Sequence, residues 1–102
     1  MKKDLLEIIT HYGASHQIKK LNEECFELQE ALIRAEEFFD WGLGDEDLEH
    51  IVEEMADVQI MLEQFKVYYQ EHYGITNERI NKVMEYKINR QLERINNENL
   101  NN

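Results

Sequence analysis

The chain is expected to be all-α: an antiparallel helical hairpin completed into a four-helix bundle-like core, with oligomerisation covering what one short chain leaves exposed. Three observations predict this class. Proline is absent from all 102 residues; the four glycines, Gly13, Gly42, Gly44 and Gly74, fall between stretches of helical periodicity; and those stretches repeat apolar residues at spacings of three and four.

The first helix is expected from about Lys3 to Tyr12. The second opens with Ser15 as its N-cap and reaches about Phe39, carrying the stripe Ile18, Leu21, Cys25, Leu28, Leu32 and Ala35. A loop with Asp40, Trp41, Gly42, Leu43 and Gly44 follows. The third helix starts near Asp45, whose neighbours Glu46 and Asp47 suit the positive end of a helix dipole, and runs to about Tyr73. Its stripe is Ile51, Met55, Val58, Leu62, Phe65 and Tyr69. Two long stripes joined by a short glycine-containing loop make an antiparallel hairpin. The fourth helix is capped by Thr76, adds Ile80, Val83 or Met84, Ile88, Leu92 and Ile95, and frays near Asn96. Residues 1–96 thus form one domain, and 97–102 a disordered polar tail. One chain of this length cannot cover every stripe, so a homodimer or homotetramer is expected.

Asp and Glu number 22 against 11 Lys and Arg, a formal net charge of -11, which repels nucleic acid from most of the surface. A small anion is repelled too, unless divalent cations or a local basic patch reverse the potential. Cys25 is the single cysteine and reads as a small core residue of a protein in a reducing, cytoplasmic compartment. The apolar run after Lys2 and Lys3 is broken by Asp4 and Glu7, and no segment approaches the roughly 18 apolar residues of a membrane span, so no membrane partner is expected.

Carboxylates three apart on a helix can share one hard cation. In so acidic a chain the spacing alone selects nothing, since Asp4/Glu7, Glu27/Glu30, Glu37/Asp40 and Glu46/Glu49 share it. Two pairs stand apart by their position beside the apolar stripes. At about 100° per residue, Glu24 falls about 60° to one side of the second helix's stripe and Glu27 about 120° to the same side. Glu54 and Asp57 fall at the same angles, with the same sign, on the third helix. The two-fold axis of an antiparallel hairpin carries one front face onto the other, so all four carboxylates converge, and the midpoint between the pairs lies inside the loop. Glu23 and Glu53 rotate further from the stripe and are not expected to be ligands. Four carboxylates beside a core repel one another, and Mg2+, with Mn2+ as a substitute, resolves that repulsion.

The local sequences KLNEECFEL and EEMADVQIML carry these pairs, and they resemble the MazG-like all-α NTP pyrophosphatase superfamily, whose hallmark is Glu-x-x-Glu, a spacer, then Glu-x-x-Asp. The likeness spans roughly residues 16 to 94, in the manner of a short single-domain member. It implies Mg2+-dependent hydrolysis of a (deoxy)nucleoside triphosphate to the monophosphate and pyrophosphate, in nucleotide-pool housecleaning, with Glu24, Glu27, Glu54 and Asp57 as metal ligands and catalytic residues. A Lys-x-x-Arg that meets phosphates in the family is matched by Lys87 and Arg90. Residues 75–95 hold five basic side chains against three acidic ones, a local basic patch, although such a helix surface can also merely balance its acidic neighbours. Lys20, one turn before Glu24, is a further phosphate candidate, or a simple surface partner of Glu24. Gln64 and Glu85 stand where the family pattern has Asn, which leaves base and sugar preference open.

Phe38, Phe39 and Trp41 near the turn could stack on a base, though packing is the commoner role of such aromatics. His11, His16, His50 and His72 show no metal-ligand spacing among themselves, but His50 shares a face with Glu54 and Asp57. A di-iron bundle would need two Glu-x-x-His pairs, and none is present. The rival reading is a non-catalytic helical interaction or regulatory module whose acidic face is only solvated.

Overall fold

The computed structural model describes residues 1–38 and 41–101, and among these the chain forms four α-helices and no strand. In chain order they are α1 (Lys2–Tyr12), α2 (Ala14–Glu36), α3 (Asp45–Tyr73) and α4 (Asn77–Asn101). The all-α expectation holds because nothing in the four periodic stretches lacks a backbone N–H or breaks the repeat. None of these helices is long and apolar enough to cross a membrane.

Gly13 both ends α1 and begins α2. Its φ of 89° and ψ of 149° lie in a region nearly closed to residues with a Cβ. Its N–H donates to the Ile9 carbonyl at 2.8 Å while its own carbonyl accepts from the Gln17 N–H at 3.1 Å. Ser15, expected as the N-cap, therefore sits within the first turn of α2. That helix closes at Glu36, short of Phe39, which with Asp40 lies outside the described residues.

At the start of α3 the Gly44 N–H donates to Asp47 Oδ2 at 3.2 Å, one half of a capping box. The helix ends where the Gly74 N–H donates to the Gln70 carbonyl at 3.0 Å with φ of 69°, a left-handed C-cap. Thr76 caps α4 as expected, its Oγ1 accepting from the Arg79 N–H at 3.1 Å. Rather than fraying near Asn96 into a disordered tail, α4 continues to Asn101. No proline or glycine interrupts that segment, and ordinary residues cost an established helix at most about 0.7 kcal/mol each relative to alanine.

The chain groups into two compact units, Met1–Tyr68 and Tyr69–Asn102. In the first, Ile9, Ala31, Ala35, Met61 and Val67 are buried, together with the polar side chains Gln17, Glu24 and Gln64. The inward face of α2 is thus Gln17, Leu21, Glu24, Leu28, Ala31 and Ala35, while α3 turns Ile51, Glu54, Val58, Met61 and Gln64 inward. Both faces are rotated from the expected stripes: Ile18, Leu32, Met55 and Leu62 are exposed, and so is Cys25, which is not the core residue it was expected to be. α2 is apolar over more than one face, so apolarity alone does not choose among them, and the face that is buried carries the small side chains Ala31 and Ala35.

Candidate metal centre

Because the seam of the hairpin runs through positions 24 and 54, the inner carboxylate of each expected pair is drawn into the core. Glu24 is only 7% exposed, and the side chain of Glu54 only 13%. Glu27, one turn further along α2, lies at the surface. Each of these three side chains offers a carboxylate oxygen, and the three oxygens lie within 4.8 Å of one another. Asp57, the fourth expected ligand, is exposed and stays outside the group. Its side chain is one methylene shorter and starts a turn further from the buried part of the seam.

The inner carboxylates share a pattern. On α2, Lys20 Nζ stands 3.2 Å from Glu24 Oε1; on α3, His50 Nδ1 stands 4.0 Å from Glu54 Oε1. Both neighbours come four residues earlier, one helical turn, so they approach the carboxylate from the same end. The other oxygens, Glu24 Oε2 and Glu54 Oε2, are buried without a hydrogen-bond partner among the described residues. A buried acceptor left without a donor costs about 1–3 kcal/mol, which a bound cation would recover. An all-oxygen donor set with atoms this close suits a hard ion bound at roughly 2.0–2.6 Å, the range of Mg2+ and Ca2+. The residues present therefore fit the expected ion.

Electrostatics records the same crowding. The negative charge of Glu24 holds the Glu27 carboxyl above its ordinary value of 4.5, with some loss of hydration and the charge of Glu54 adding to it. The Lys20 ammonium is held above its ordinary value, first by its hydrogen bond to Glu24. An acid whose folded value is raised favours the fold while protonated, and loses that contribution as pH rises from 4.5 through the raised value. In cation-free buffer Glu27→Gln is therefore expected to raise the thermal midpoint at pH 7 and to change it little below about pH 4. Parallel melting curves at the two pH values measure this, and a gain independent of pH would show that charge repulsion is not its source.

A buried amide pair lies two turns from Glu24 along α2, and the sequence did not announce it. Gln17 Nε2 donates to Gln64 Oε1 at 2.8 Å, joining α2 to α3, and His16 Nδ1 donates to Gln17 Oε1 at 2.8 Å. The available signal was a glutamine at a core-facing position of each helix, which becomes visible only once the true seam is known. Gln64, a departure from the family pattern, is thus tied into the core.

The remaining candidates stand on surface positions. Lys87 and Arg90 stand on exposed positions of α4 in the second unit, where the Arg90 guanidinium lies 5.7 Å from the Tyr86 ring centre. Trp41 and Phe38 are exposed, and Phe39 lies outside the described residues. His16 stacks on Tyr12 with ring centres 5.1 Å apart, and no histidine joins a cluster of metal donors among the described residues. No family model matches the chain, nor does any curated protein or solved structure.

Proposed function

We propose that the protein is a Mg2+-dependent nucleoside triphosphate pyrophosphohydrolase that converts a (deoxy)nucleoside triphosphate to the monophosphate and pyrophosphate. The observation that supports this most is the meeting of Glu24, Glu27 and Glu54, two of which each have a buried, unpartnered carboxylate oxygen. Such a nest is costly without a divalent cation and useful with one. The resemblance of the paired motifs to MazG-like pyrophosphatases supplies the reaction class.

In this reading Glu24, Glu27 and Glu54 would hold Mg2+ or Mn2+, while Asp57, which lies outside their group, is a ligand only by the resemblance. A cation held by these carboxylates would supply Lewis-acid chemistry, screening a polyphosphate from an acidic protein and making an attacking water more acidic. Bond formation from water oxygen to the α-phosphorus and release of the bridging oxygen with pyrophosphate leave a proton for a carboxylate of the set. Lys20 is the basic residue beside the nest, and Lys87 and Arg90 are the pair on α4 that the resemblance assigns to phosphate. A cytoplasmic homodimer or homotetramer belongs to the same proposal, supported by exposed apolar side chains such as Phe26, Leu32 and Ile33 on α2. That exposure also favours the rival interaction module, which predicts no turnover.

The test is a panel of ribo- and deoxyribonucleoside triphosphates with Mg2+, followed by pyrophosphate and monophosphate detection. At least one substrate should yield both products in equal amounts, and chelation should stop the reaction. Absence of pyrophosphate across the panel, from folded protein with Mg2+ supplied, would overturn the proposal.

A further inference from the structure

The two inner carboxylates of the nest differ in one respect. Both have Oε2 buried and unpartnered, and both have Oε1 turned toward the residue four positions earlier. Before Glu54 that residue is His50, at 4.0 Å; before Glu24 it is Lys20, whose positive charge lies at 3.2 Å. The ammonium is also 3.7 Å from Glu23, so it bridges two acidic residues on the same helix. Its side chain is 46% exposed and, with His16, Lys19 and Glu23, borders a small cavity of about 130 Å³.

We propose that Lys20 is a displaceable counter-ion of the nest. In the cation-free protein its ammonium offsets part of the charge of Glu24, and an arriving divalent cation drives it toward the bordering cavity. This inference rests on reading Glu24, Glu27 and Glu54 as a cation site. Three features support it. Lysine is a compact point charge on a flexible stem, able to leave one oxygen for another position without breaking a bidentate fork. The contact engages the more buried of the carboxylates, where a charge left unpaired is most costly. The ammonium has both exposure and adjacent space for movement. Lys20 then makes the empty nest tolerable at the expense of affinity for the ion, because its ammonium, 3.2 Å from Glu24, must be moved aside before a second positive charge can take its place.

The test is calorimetric titration of the full chain with Mn2+ alone, without nucleotide, alongside thermal melts of the cation-free protein. Lys20→Met should bind Mn2+ about three- to tenfold more tightly than the parent at low ionic strength, and its cation-free form should melt lower. Lys20→Arg, which keeps the charge, should bind close to the parent. Lys19→Met removes the same charge from the next position and should change binding less than Lys20→Met. Unchanged or weaker binding by Lys20→Met overturns the proposal, and so does an equal gain from Lys19→Met. Failure of the folded parent to bind Mn2+ at all would instead remove the cation site, a distinct result.

Discussion

Glu54→Gln is expected to lower pyrophosphate release at least about a hundredfold while leaving the helices intact. Loss of a residue that only orients a metal ligand typically costs about 10- to 100-fold, and Glu54 is proposed as a ligand itself. The substitution keeps side-chain volume and removes one of three crowded negative charges. In the cation-free state the variant should therefore melt no lower than the parent, and by relief of repulsion it should melt higher. Addition of Mg2+ reverses the order. An ion at about a hundred times its dissociation constant stabilises a protein that binds it only when folded by about 2.7 kcal/mol, and the variant forgoes most of that gain. Steady-state rates and melts with and without Mg2+ measure both effects. Undiminished turnover in a variant confirmed to be folded would remove Glu54 from the site.

Gln64→Met is expected to destabilise the fold by about 1–3 kcal/mol, although methionine has nearly the same shape and suits a core. The cost arises at Gln17, only 3% exposed, whose Nε2 loses its acceptor at 2.8 Å and finds no water in its place. For a domain of this size each kcal/mol corresponds to about 4–8 °C in thermal midpoint. The paired substitution Gln17→Met with Gln64→Met leaves neither amide orphaned and should recover much of the loss. His16, which donates to Gln17 from the surface, can turn to solvent instead. Denaturant unfolding of the parent, both single variants and the double variant closes a thermodynamic cycle in which the singles should fail to add. Strict additivity would show that the two amides do not depend on each other.

Helix identity was legible from the chain because local signals carry it. Thr76 announced the cap of α4, and Asp45 to Tyr73 matched α3 from its acidic start to the glycine that ends it. Ser15 does not cap α2 because Gly13 supplies the N-cap carbonyl itself, an arrangement decided by its unusual φ and ψ. At the site, the pairing of Glu24 with Glu54 followed from angular equivalence on two antiparallel helices. Their burial, the exclusion of Asp57 and the exposure of Cys25 did not follow.

Periodicity is a property of one helix, written in the intervals between its residues, and so the chain alone specified four helices, a hairpin and two acidic pairs on a common side. The azimuth at which two helices meet belongs to both of them jointly. It depends on which small side chains permit close approach and which polar groups find partners when water is excluded. Ala31, Ala35 and the Gln17–Gln64 amides bear on that choice, and it carries Glu24 and Glu54 from the flank of the seam into it. A rotation of less than one residue's angle thus turns a solvated acidic stripe into a partly buried cluster of carboxylates.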